Sequence, residues 1–228
     1  MIAHKKEFYG GVGMMAAFIL VLIIIFTPLF NGQNSLNYLD DLYNSISKGS
    51  AYYIPKVKQE TDKFKGNPVS VTLTMASRKQ AQQTAELFKA GGAEATVRDA
   101  NLKVTGDLGK ILANSLADAD AIYRNDGQKV SGKYGYHDKR ALFNWWKAFQ
   151  EMHKDLKKQK KFKEAKAVAL VVKNAVESSY NYYNIEAQKI GDRWEVVVSS
   201  LIFYVVCTLW YGFAIMFMFE GWGMRLEH

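Results

Sequence analysis

Twenty-four consecutive residues, Val196 to Phe219, carry no charged side chain and are bounded by Asp192, Arg193, Glu195 and Glu220. A helix rising about 1.5 Å per residue crosses a hydrocarbon core of about 30 Å in roughly 20 residues. The run therefore predicts a membrane span with length to spare. Trp194, Tyr204, Trp210, Tyr211 and Trp222 place aromatics toward its ends, as in interfacial belts. A second apolar run, Val12 to Phe30, is broken only by Thr27 and Pro28. It is long for the core of a signal peptide, and TPLFNGQNS offers no clear small-x-small cleavage site, so it reads as an uncleaved signal anchor.

Between the spans the pattern changes period. In Val69 to Met75, apolar residues alternate with Ser and Thr, the mark of a half-buried strand. Ser77 then caps a helix carrying Ala81, Thr84, Ala85 and Phe88 and closed by Gly91-Gly92. Ala93 to Val97 and Leu102 to Thr105 read as two strands joined by a turn at Asp99 to Asn101. Asp107 opens a helix with Leu108, Ile111, Leu112, Ser115, Leu116, Ala119 and Ile122 on one face, and Gln128 to Tyr134 offers a last strand. That order is a split β-α-β, ferredoxin-like arrangement. It is loosely similar to small envelope domains such as the peptidoglycan-binding SPOR family, over this domain alone and with no shared motif, and no function is carried over.

From Ala141 to Phe219 there is no proline. Apolar residues recur at steps of three and four: Phe162, Ala165, Ala169, Val172, Val176, Tyr180, Tyr183, Ala187, Ile190 and Trp194. This near-3.5 period predicts a long, coiled-coil-like helix running into the second span. An earlier series, Leu142, Trp145, Phe149, Met152 and Leu156, is out of step with it, so the helix is either overwound between Leu156 and Phe162 or breaks and turns there.

These elements give an α+β membrane protein with seven segments. Residues 1–11 form the N-terminus, 12–30 the first span, and 31–68 a juxtamembrane helix and connector. Residues 69–136 form the small α/β domain, 137–195 the long helical segment, 196–219 the second span, and 220–228 a short tail. The juxtamembrane helix starts at Asn34 or Ser35 and ends at Gly49; its polar face carries Asp40 and Asp41, so packing under the folded domain suits it better than lying on lipid. The final Leu226-Glu227-His228 resembles the start of a cloned tag.

Composition refines the picture. The mean hydropathy of −0.17 averages two apolar runs with a polar middle. Lys5 and Lys6 favour a cytoplasmic N-terminus, which puts both termini on the cytoplasmic side of a bacterial-type inner (plasma) membrane and the middle region in the periplasm. That region holds 27 of the 30 basic and 19 of the 22 acidic residues, a net +8, so the reverse topology stays open. The only cysteine, Cys207, lies within the second span, so no intrachain disulfide forms.

Candidate chemistry is sparse. Gly10-Gly11-Val12-Gly13 lacks the strand and the Lys-Ser/Thr of a phosphate loop and suits close helix packing instead. His137 and His153 have no partners at metal-ligand spacing, and Asp118 and Asp120, two apart on a helix, point to different faces. Neither span carries Asp, Glu, Lys, Arg or His, which disfavours transport and ion-coupled roles. No catalytic, metal or cofactor site is expected, and none for nucleic acid. A lysine cluster stands out, with Lys154, Lys157, Lys158, Lys160, Lys161, Lys163 and Lys166 against only Asp155 and Glu164. It reads as a solvated face, and its Lys157, Lys158, Lys160 and Lys161 as a contact for anionic lipid head groups or an acidic partner.

The leading expectation is a non-enzymatic, membrane-anchored scaffold. It self-associates into a homo-oligomer through Phe162, Ala165, Ala169, Val172, Val176, Tyr183, Ala187 and Ile190 and through its spans, and displays the α/β domain outside. The alternatives are an accessory subunit of a respiratory or transport complex and a sensory or ligand-binding envelope module.

Overall fold

The computed structural model describes residues 2–29 and 32–224 and divides into two units. The tag-like Leu226-Glu227-His228 and Phe30, the last residue expected in the first span, lie outside the described residues.

The first unit joins residues 1–46 to residues 188–228. Its two long helices, α1 (Lys5–Phe26) and α10 (Trp194–Gly221), are each long and apolar enough to cross a membrane, with mean hydropathies of 2.5 and 2.0. They pack antiparallel through small residues. A Cβ on Gly11 would meet the Ala214 carbonyl oxygen at 2.8 Å, and one on Gly221 would meet the Phe8 backbone nitrogen at 2.5 Å. Glycine is what lets these backbones touch. Gly10 and Gly13, grouped with Gly11 in the sequence, have nothing within 4 Å of such a Cβ. Trp210 Nε1 donates to the Met14 carbonyl at 3.1 Å, and Phe18 sits against Trp210 and Tyr211. Helix α2 (Ser35–Ser50) begins where Asn34 Oδ1 accepts the Asn37 N–H at 2.8 Å.

The second unit, Ser47–Ala187, is built on a three-stranded antiparallel sheet in the order β1-β3-β2. Strand β1 (Pro68–Thr74) buries Val69, Val71 and Leu73 and exposes Ser70, Thr72 and Thr74, as the alternation requires. Strands β2 (Glu94–Arg98) and β3 (Asn101–Asp107) form a hairpin that turns through Asp99 at φ 54°. Helix α4 (Arg78–Ala90) starts with Ser77 accepting from Gln80 N, while Gln80 Oε1 accepts from Ala76 N, a close variant of the capping box. Helix α5 (Leu108–Tyr123) is capped by Asp107, whose other oxygen accepts the Gly66 N–H at 2.7 Å. Ahead of the sheet, the stretch expected as a connector holds α3 (Ile54–Thr61), whose Ile54 and Val57 enter the core.

Two expectations are corrected. Gln128 to Tyr134 is not a strand but lies in helix α6 (Gly127–Tyr134), which ends on Gly135 in the left-handed region. There Val130 is buried and Tyr134 bonds to Asp118, contacts that a helical turn supplies; the ferredoxin-like closure does not form.

The long segment is also not one rod. It divides into α7 (Asp138–Lys158), α8 (Phe162–Val171), a π-helical turn (Val172–Val176) and α9 (Glu177–Asn181). A 3₁₀ turn, Ile190–Asp192, precedes α10. The break falls in the six-residue gap between Leu156 and Phe162. Lys161 N bonds to the Leu156 carbonyl and Lys160 N to that of Lys157, with Lys160 at φ 60°. That is a Schellman motif, and it turns α8 back against α7.

Candidate interaction surface

The apolar positions that predicted self-association scatter once the rod folds back. Ala165 and Val176 are inside the second unit's own core; Ala169 and Val172 are half-buried. Phe162 stands exposed on the α7–α8 turn. The Tyr183 hydroxyl donates to Asp138 Oδ1 at 3.0 Å with the Lys139 ammonium 5.2 Å from its ring, Ala187 is exposed, and Ile190 belongs to the first unit. The other series, Leu142, Trp145, Phe149, Met152 and Leu156, is fully buried. A 3.5 period requires only that another helix cover the stripe, and here α7 and α8 cover each other.

The polar interior is bonded largely within itself, with Asn144 Nδ2 the buried side-chain atom left without a partner among the described residues. The Asp118 carboxylate, 3% exposed, accepts from Lys133 Nζ at 2.7 Å, the Tyr134 hydroxyl at 2.5 Å and Trp145 Nε1 at 2.9 Å. Asp120 points elsewhere, to Tyr52 and Arg124. His153 Nδ1 is bonded to the Ala165 carbonyl, and His137 sits at the other end of α7 beside Asp138. Among the described residues, no group of three or more His, Cys, Asp or Glu side chains is placed to hold a metal ion.

Near the π turn, a cleft of about 330 Å³ is lined by Phe143, Trp146, Tyr180 and Glu177. Its groups are already engaged: Trp146 Nε1 donates to Glu177 Oε1 at 2.8 Å, and Arg140, Lys147 and Lys139 sit over the three rings.

The lysines are different. Lys157, Lys158 and Lys160 are exposed on the α7–α8 turn, and Lys161 Nζ reaches the Pro68 carbonyl at 3.4 Å. The two acids of the cluster do not neutralise them. Asp155 Oδ2 accepts from Thr72 N and Gln159 Nε2, and Glu164 Oε1 from Asn67 Nδ2. Beside the turn lies a groove of about 550 Å³, with Lys63 and Phe64 from the end of the α3 segment and Lys163, Lys166, Leu170 and Lys173 from α8 and the π turn. Among the described residues, no carboxylate is within ion-pair distance of Lys63, Lys157, Lys158, Lys160, Lys163, Lys166 or Lys173. The sequence showed the lysines but not the groove, because its second wall comes from a segment about 100 residues earlier. Lys163, Lys166, Leu170 and Lys173, at steps of three, four and three, were the available signal.

Comparison with known protein families, with curated proteins and with solved structures gives no match to this chain.

Proposed function

We propose that the chain is a non-enzymatic, membrane-anchored accessory subunit: two paired spans hold a self-contained α+β unit at a membrane surface, with both termini on the cytoplasmic side. The observation that carries the reading is the glycine contact between α1 and α10, Gly11 against Ala214 and Gly221 against Phe8, in helices otherwise covered by exposed apolar side chains. Such a pair is suited to an apolar phase, where small residues drive helix association.

A larger assembly of unlike subunits suits the second unit better than a homo-oligomer through the 3.5-period stripe. Ala165 and Val176 are spent in the unit's own core. The unit also holds 25 basic and 15 acidic residues, a net +10, which opposes a second copy. An alkaline carbonate wash of native membranes tests the anchor. The full-length chain is expected to stay in the pellet, and its release into the supernatant contradicts the reading.

A further inference from the structure

We infer that the lysine-walled groove between Phe64 and α8 is a docking site for an acidic amphipathic helix of a partner protein. The inference deepens the accessory-subunit reading by giving the partner's chemistry. Lys63 and Phe64 line it from one segment, with the Lys63 ammonium 5.6 Å from the Phe64 ring, and Lys163, Lys166, Leu170 and Lys173 line it from the other. Among the described residues the lining has one carboxylate, Glu60, against four ammonium groups. Lys163 to Lys173 spans ten residues, about 15 Å of helix, the length of two to three turns of an occupant.

Two other anions fit less well. A nucleic acid or polyphosphate would use the charge and leave the apolar lining idle, and among the described residues no arginine lines the groove. A lipid surface would present head-group charge to the lysines and leave Phe64 and Leu170 without an apolar partner.

The test uses the full-length protein in detergent micelles and a dye-labelled three-turn peptide with glutamates on one face and leucines on the other, read by anisotropy. Binding is expected, weakening with added salt. It is expected to fall about tenfold or more in the triple variant Lys163→Gln, Lys166→Gln, Lys173→Gln. A similar loss is expected when serines replace the peptide's leucines. All three lysines are exposed, and circular dichroism checks that the variant keeps its fold. Equal binding by the triple variant overturns the site. Indifference to the leucines, or displacement of the peptide by inorganic polyphosphate or by phosphatidylglycerol vesicles at matched charge, overturns the helical-protein partner. Membrane retention is read separately by the carbonate wash, so failure here leaves the anchor reading standing.

Discussion

Trp145 Nε1 donates to Asp118 Oδ2 at 2.9 Å, and through that bond the largest fully buried side chain of α7 is tied to a carboxylate of α5. Trp145 also packs between Phe88 and Phe149, with ring centroids 5.2 and 5.0 Å away. The bond therefore links the helix over the sheet to the helical layer behind it. Removing the indole donor in Trp145→Phe takes one of two donors from Asp118 Oδ2, which keeps the Tyr134 hydroxyl, and is expected to cost about 1–3 kcal/mol. Asp118→Ala leaves the Tyr134 hydroxyl and the indole without their acceptor, while Lys133 keeps Asn114 and solvent, and is expected to cost about 2–4 kcal/mol. Urea unfolding of both single variants and the double variant checks this. The double is expected to cost less than the two singles combined, because they share one network.

Alkaline pH is expected to unfold the second unit through its buried phenols. Burial pushes the Tyr123 and Tyr136 hydroxyls up to about 12, and burial with the neighbouring Asp118 raises Tyr134 further still. In the unfolded chain these groups ionise near 10. The folded state thus holds more protons in this window, so the stability they contribute is whole below pH 10 and is lost as the pH climbs toward 12. Lys48 has the opposite sign. Burial lowers its pKa, so its contribution rises with pH as the unfolded value of 10.5 is approached. One lysine against three phenols leaves the tyrosines dominant. Phenolate absorbance and circular dichroism, followed together through the titration, should change in one cooperative step; smooth ionisation without loss of fold contradicts the assignment.

Lys160 occupies the left-handed position of the α7–α8 turn at φ 60° with no side-chain bond that requires a lysine there. A non-glycine residue in that region costs about 1–2 kcal/mol. Lys160→Gly is expected to raise stability by about 1 kcal/mol in urea unfolding, while Lys160→Val is expected to lower it.

The contact between α1 and α10 has no room for a methyl group at Gly11. In a Cys207→Ser background, cysteines placed at Ala3 and Gly223, whose Cβ positions are 3.1 Å apart, are expected to cross-link on oxidation in membranes. Adding Gly11→Val is expected to lower the cross-linked fraction severalfold. An unchanged yield would mean that the two helices meet elsewhere.

Much of this architecture was legible along the chain. Uncharged runs long enough to span a bilayer, the β1 alternation, the Ser77 and Asp107 caps and the irregular step after Leu156 each follow from local chemistry, and each marks an element found in the structure. What failed depended on distant parts of the chain. Gln128 to Tyr134 holds too few residues for its period to be read, and Val130 and Tyr134 became helical because α5 and α7 offered them partners. The periodicity of α8 showed an apolar face without saying whose helix would cover it. The groove stayed hidden for a related reason, since Lys63 and Phe64 meet α8 only after the fold has closed.

The most direct measurement is the mass and composition of the particle that the full-length chain forms when released from native membranes in mild detergent. A particle holding this chain together with at least one unlike subunit that carries an acidic helix is the result expected. A particle made of this chain alone, whether one copy or several, would contradict it.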